Sequence, residues 1–134
     1  MIGFDNATNG SYTSSSATHT FSHTVGAGSD RILFVGVDIN GGDNVVSVTY
    51  GGVAMTQAVK VADAGGAYNY LYYLLNPAVG AANVVVTQSS VTNLAGFAVS
   101  YNGAAQQAPE AVNSVNGTSF NLSTVTNNAW IVAY

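Results

Sequence analysis

The sequence predicts an all-β fold: a single β-sandwich or jelly-roll-like domain that spans residues 1–134. Three observations predict it. Apolar and polar residues alternate with period two along much of the chain, as in strands with one buried face. Turn-forming residues recur at intervals of about 8–12 residues, which is typical of sandwiches. No segment keeps the 3.6-residue period of a helix. We therefore expect about nine or ten short, mostly antiparallel strands.

The first predicted strands cover residues 17–25 and 31–39. In the first of them, His19 and His23 share a face, and the opposite face carries only Ser and Thr. This alternation predicts a half-exposed strand with a hydroxyl-rich outer surface. The second strand is a nearly continuous apolar run, so we expect it to be central and buried on both faces.

Turn residues separate the strands that follow. Further strands are predicted at residues 45–50, 53–61, 68–75, 82–88, 94–101, 118–125 and 130–134. Gly51-Gly52 is a two-residue hairpin signal, and Asn76-Pro77 ends a strand because proline cannot donate to a ladder. Residues 104–113 are predicted to form an exposed loop.

Charge is scarce, and this excludes several kinds of partner. Only 6% of the residues are charged, the net charge is −4, and Arg31 and Lys60 are the only basic residues. Nucleic acids and anionic lipid surfaces both need clusters of cations, so we expect neither as a partner. No apolar stretch is long enough for a membrane helix, and we expect no membrane insertion. Cysteine is absent, which excludes disulfides and thiolate chemistry.

The residues that carry chemistry are few and badly placed for catalysis. His19 and His23 lie about 13 Å apart along an extended strand, too far to share a metal ion, and we interpret them as structural. Ser22 and His23 point to opposite faces, so with Asp30 they do not form a catalytic triad. We therefore expect a protein that is not an enzyme and has no cofactor.

One loop offers oxygen ligands. Asp38, Asn40, Asp43 and Asn44 surround Gly41-Gly42 and are weak candidates for a calcium site. Their spacing does not match an EF-hand loop, and the two glycines explain the segment as a turn. We therefore predict no metal site.

Aromatic residues are the candidates for binding. Tyr68, Tyr70 and Tyr72 share one face of a strand, and Tyr73 lies on the other. Accessible tyrosine rings stack on sugars or fill protein interfaces; alternatively, these rings fill the core with their hydroxyls at its rim. Trp130 and Tyr134 belong to an apolar final run, which either lies at an intermolecular contact or closes within its own sheet.

Several turns and core strands together resemble a known type of domain. Two motifs lie in the first part of the chain: Phe-Ser-His-Thr-Val at residues 21–25 and the segment 28–37. Two more follow: the segment 45–56, which ends in Tyr-Gly-Gly-Val-Ala-Met-Thr, and Tyr-Tyr-Leu-Leu-Asn-Pro at residues 72–77. They resemble a β-sandwich domain of phage structural proteins and bacterial extracellular proteins. Similar domains run on beyond the strand that holds Trp130, so we expect further chain or a partner to complete the sandwich at this end.

The resemblance and the composition together suggest a function. We expect a non-enzymatic virion structural protein, such as a capsid decoration, tail or fibre component, that acts by assembly with copies of itself or with other virion proteins. The alternatives are an extracellular filament subunit or adhesin, and a carbohydrate-binding module that holds surface glycans. The expected location is the virion or the extracellular space.

Overall fold

The computed structural model describes residues 1–117, 119 and 121–133. These residues form seven β-strands and no helix, and every strand pair is antiparallel. The strands are β1 (Gly3–Val25), β2 (Ile32–Asn40), β3 (Val45–Tyr50), β4 (Val53–Ala54), β5 (Thr56–Ala62), β6 (Ala67–Leu75) and β7 (Gly80–Asn102). The predicted all-β class is confirmed, but the prediction of nine or ten strands is wrong.

The strand count differs because two strands are much longer than predicted. β1 and β7 have 23 residues each. The two strands predicted at 82–88 and 94–101 are one strand, because β1 runs beside β7 along almost all of its length. The predicted strand at 17–25 extends back to Gly3. Residues 3–16 are rich in Asn, Ser, Thr and Gly and resemble a loop in sequence, yet they form a ladder with β7.

The predicted strands after residue 103 are absent from the part of the chain that the structure describes. Residues 119 and 121–125 have no strand structure, and neither do residues 130–133. Thr118, Phe120 and Tyr134 lie outside the described residues. A strand needs a neighbouring backbone, whereas this segment contacts the sheet through side chains such as Val132.

The sheet is nearly closed. Its strand order is β4-β3-β7-β2-β6-β5, and β1 lies along the other edge of β7. β7 pairs with β3 through residues 84–88 and with β2 through residues 93–101. β4 pairs with β3, and β5 pairs with β6. Because β4 and β5 follow one another along the chain, residues 53–62 connect the first and last strands of this order.

One gap in the sheet lies within β1. Its N-terminal arm, residues 3–13, pairs with residues 94–102 of β7, and its C-terminal arm, residues 18–25, pairs with residues 80–87. The register is irregular between the arms, where Ser15 has a positive φ. We call the line along which the two arms meet the seam. Side chains link the arms there, beginning with Thr8 and His23.

The core confirms two local predictions. Residues 32–37 of β2 are all buried, so this strand is covered on both faces as its apolar run predicted. In residues 18–25, His19, His23 and Val25 are buried, while the Ser and Thr residues between them are exposed. The inner cluster includes Val35, Val37, Val48, Tyr50, Tyr70, Val84, Val86 and Ala98. A second cluster on the outer face includes Ile32, Phe34 and Val99.

Candidate functional site

The tyrosines of β6 lie mostly inside the molecule. Tyr68, Tyr70 and Tyr72 form a row of stacked rings, with centroids 6.2 Å and 6.3 Å apart. Tyr70 and Tyr72 are buried in the inner cluster, and Tyr68 packs against it. Tyr73 is half-buried and packs on the outer cluster. Tyr70 and Tyr72 therefore offer no ring face to a sugar or a partner, and the core alternative describes them.

The hydroxyl of Tyr70 reaches the turn after β2. It donates a hydrogen bond to Oδ1 of Asp43 over 2.6 Å, and Nζ of Lys60 forms a salt bridge with Oδ2 of the same carboxylate. Burial, and then the hydrogen bond to Asp43, raise the pKa of Tyr70. The hydrogen bonds from Lys60 and Tyr70 lower the pKa of Asp43.

These contacts account for the candidate calcium ligands. Both carboxylate oxygens of Asp43 have protein partners, and Nδ2 of Asn44 donates to the carbonyl of Gly41 over 2.7 Å. Asp38 and Asn40 are exposed residues of the β2 ladder. Among the described residues, no three His, Cys, Asp or Glu side chains form a group that could hold a metal ion. The segment is built as a turn that anchors Tyr70.

Both histidines of the chain lie on the seam. Nδ1 of His23 is 2.9 Å from Oγ1 of Thr8, and Nδ1 of His19 is 2.5 Å from Oγ1 of Thr13. Each histidine is on the C-terminal arm of β1, and each threonine is on the N-terminal arm. The histidines therefore join the two arms, which agrees with their interpretation as structural residues.

His23 belongs to a buried chain of hydrogen bonds. Its Nε2 is 3.1 Å from Oγ of Ser100, and Ser100 donates to Oδ2 of Asp5 over 2.6 Å. A carboxylate only accepts, so the single hydroxyl proton of Ser100 points to Asp5, and Ser100 must accept from Nε2 of His23. Nδ1 of the neutral ring then accepts from Thr8.

This chain contains Ser, His and Asp side chains, but it is not a catalytic triad. His23 is 1% exposed and Ser100 is 0% exposed, so no substrate reaches the hydroxyl. The serine also lies between the histidine and the aspartate, which is the wrong order for a histidine base held by an aspartate. The Ser22 considered in the sequence is exposed on the outer face of β1. Sequence reasoning missed Ser100 and Asp5, and no local signal marks them.

His19 differs from His23 in its partners. Its ring is 4% exposed, and among the described residues its Nε2 has no hydrogen-bond partner. Burial lowers the pKa of His19, and the carbonyl of Gly10 opposes this shift. Burial also lowers the pKa of His23, and the charge of Asp5 opposes it.

The outer face of the sheet carries a second candidate region. The C-terminal segment, which comprises the described residues after 103, covers part of this face and leaves a cavity of about 240 Å³. Phe34, Val59 and Leu71 line the cavity from the sheet, and Leu122 lines it from the segment. The ring of Trp130 packs edge-on against Tyr101 with centroids 5.5 Å apart.

Four apolar side chains of this segment line the cavity and also face solvent. Val112, Val115, Trp130 and Ile131 are between 43% and 55% exposed. We call these four residues the C-terminal apolar patch. Trp130 was a binding candidate from the sequence, and the structure places it in this patch.

Comparisons with protein-family models, with curated proteins and with solved structures found no match to this chain. The described residues also include no helix that could cross a membrane.

Proposed function

We propose that this chain is a non-enzymatic structural domain that acts by protein–protein assembly, as a component of a virion or of an extracellular structure. The observation that carries the proposal is the C-terminal apolar patch. Large exposed apolar side chains that cluster on one surface mark interaction sites, whereas scattered single ones are ordinary. Trp is also strongly enriched at the energetic centres of interfaces.

The composition supports the same mode of action. A surface built from Ser, Thr, Asn and Gly, with 6% charged residues, repels copies and partners only weakly. The resemblance to a domain of phage structural proteins and bacterial extracellular proteins supports either location. A carbohydrate-binding role is not favoured, because Tyr70 and Tyr72 are buried in the core.

We also infer that the nearly closed sheet is a β-sandwich whose two layers share the bent strands β1 and β7. Two contacts support this inference. Val84 and Ala98 come from opposite halves of β7 and belong to the same inner cluster. Thr8 and His23 come from opposite arms of β1 and are in hydrogen-bond contact.

Sedimentation of the full chain up to about 1 mM tests assembly. We expect concentration-dependent association that is lost in the double variant Trp130→Ser, Ile131→Ser. Val46→Ser is the matched control, because Val46 is 65% exposed but lies on β3, outside the patch. A chain that stays monomeric over this range, or a control variant that loses association equally, would contradict assembly through the patch.

Imaging of the native assembly tests the location. An antibody against this chain is expected to label purified virus particles in electron micrographs. Labelling of filaments on cells would favour the extracellular alternative instead.

A further inference from the structure

We propose that the seam of β1 is an acid-operated opening: between about pH 7 and pH 5, the two arms separate while each arm stays paired with β7. This inference does not depend on the proposed function.

The seam is closed by side chains and not by a ladder. All ladder pairs of β1 are made with β7. Across the seam, Nδ2 of Asn6 donates to the carbonyl of Thr24 over 2.9 Å, and the N–H of Gly26 donates to Asp5 over 2.9 Å. The two threonine–histidine contacts also link the arms, and Ser100 of β7 bridges Asp5 and His23. The arms can therefore part without the loss of any ladder hydrogen bond.

The two side chains that titrate near neutral pH both lie on this line. Histidine is the residue whose charge ordinarily changes between about pH 5 and pH 8, and this chain has only His19 and His23. Close packing leaves little room for rearrangement around them: a Cβ added at Gly10 would lie 2.6 Å from the ring of Phe21 on the opposite arm. Protonation therefore places charge in a tight, buried contact.

The two histidines tolerate a proton unequally. His23 has Asp5 nearby through Ser100, and the phenol of Tyr50 lies beside its ring with centroids 6.4 Å apart. A charged His23 thus has a partial counter-charge. A charged His19 has only the carbonyl of Gly10 in its favour. Its Nε2 has no hydrogen-bond partner among the described residues, and an unpaired buried donor is costly.

No acidic side chain faces His19 from the elements around it. Thr13 and Gly10 approach it from the N-terminal arm, and β7, its ladder partner, contains no Asp, Glu, Lys, Arg or His. The inner faces of β3 and β6 present Tyr50, Tyr68, Tyr70 and Tyr72, and phenols titrate near pH 10. Asp43 is engaged by Lys60 and Tyr70. We therefore expect protonation of His19 to be the costlier of the two and to drive the opening of the seam.

Amide hydrogen exchange followed by NMR tests the opening. The N–H of Gly26 reports on the seam because it bonds to Asp5 across it. The N–H of Val35 reports on the ladders of β2, where the residue is 0% exposed. From about pH 7.5 to about pH 5, after correction for intrinsic rates, we expect the protection of Gly26 to fall about tenfold or more and to stay well below that of Val35 at every pH.

The double variant His19→Gln, His23→Gln is the matched control, since it keeps Asp5 and removes both imidazoles. Its Gly26 protection is expected to stay constant over the same range. Equal protection factors at Gly26 and Val35 in the wild-type chain would overturn the proposal, because Gly26 would then exchange only when the whole fold unfolds. An unchanged acid response in the double variant would also overturn it.

If the double variant does not fold, a measurement on the wild-type chain still tests the proposal. The imidazole Cε1–H resonances are followed over the same pH range. Titration of His19 at the pH where Gly26 loses protection supports the proposal. Titration of His19 with Gly26 still protected, or neutral imidazoles at pH 5 with Gly26 unprotected, would overturn it.

Discussion

Tyr70 and Tyr72 are neighbours in one stack of rings, yet their hydroxyls have different surroundings. The Tyr70 hydroxyl is 2.6 Å from Oδ1 of Asp43, while that of Tyr72 is 3.4 Å from Oε1 of Gln57. The shorter contact involves a carboxylate, and hydrogen bonds to charged groups are the stronger ones. Both rings pack in the same stack, so a comparison of the two residues isolates the contribution of the hydroxyl hydrogen bond to stability.

We expect Tyr70→Phe to lower the free energy of unfolding by about 1–2 kcal/mol, because it removes a bond to a carboxylate and keeps the ring. Tyr72→Phe serves as the matched control and is expected to change it by less than about 0.5 kcal/mol. Urea denaturation measures both values. Equal effects of the two substitutions would show that the Asp43 contact does not stabilise the fold.

Gly36 provides room for an aromatic ring. It lies opposite Phe97 in the ladder between β2 and β7, and a Cβ at this position would be 1.9 Å from the ring. Any side chain would displace Phe97 from the outer cluster. The glycine is therefore required by packing, since its φ is not positive.

We expect Gly36→Ala to destabilise the fold by about 1–3 kcal/mol through overpacking. Gly65→Ala is the control, because the nearest atom to its added Cβ is a side-chain oxygen of Asp63 at 3.4 Å. Thermal unfolding of both variants checks the difference. A Gly36→Ala variant as stable as the wild-type chain would mean that the Phe97 ring moves without cost.

At the scale of elements, the β3–β4 hairpin depends on backbone conformation. Gly51 and Gly52 both have positive φ, at 55° and 81°, and Tyr50 pairs with Val53 across them. Positive φ at both central residues is the mark of a type I′ turn, which matches the twist of the strands.

Substitutions in this turn separate backbone strain from packing. We expect Gly52→Ala to cost about 1 kcal/mol, because no atom lies within 4 Å of its added Cβ and only the φ is unfavourable. Gly51→Asn is the control: Asn-Gly is the preferred type I′ pair, so little change is expected. Chemical denaturation measures both; a larger loss from Gly51→Asn would contradict this assignment of the turn.

The two 23-residue strands are the elements that shape the fold. Strands usually have about 5–6 residues, and β1 continues through several register shifts where a shorter strand would end. Because β7 also pairs with β2 and β3 on its other side, it holds both regions of the sheet together.

At the scale of the whole molecule, pH is expected to act mainly through the histidines near neutrality. Burial lowers the pKa of both rings in the folded chain from the ordinary 6.5. The unfolded chain then binds more protons than the folded chain below about pH 6.5, so stability is complete above this value and is lost as the pH falls.

We therefore expect the free energy of unfolding, measured with urea, to decrease from about pH 7.5 to about pH 5.5. The double variant His19→Gln, His23→Gln is expected to show a flatter profile over this range. An equal decrease in both proteins would assign the effect to carboxylates instead.

The sequence predicted local structure well wherever a residue's neighbours along the chain decide its environment. The apolar run of β2 predicted burial on both faces, and Gly51-Gly52 predicted the hairpin. The polar residues 3–16 did not predict a strand, because their ladder with β7 is a contact between distant segments. For the tyrosines of β6 the sequence left a binding surface and a core position as alternatives. The period-two pattern assigns each residue to a face of the strand, but it does not show which face is buried.

The sequence by itself determined the all-β class, most turns and the alternation of residues 17–25, because φ preferences and period two act within a few residues. Only the tertiary structure decided which side chains meet on the seam. Ser100 is 77 positions along the chain from His23 and 95 positions from Asp5. Their meeting follows from the pairing of β1 with β7, and strand pairing over such distances is a property of the whole chain.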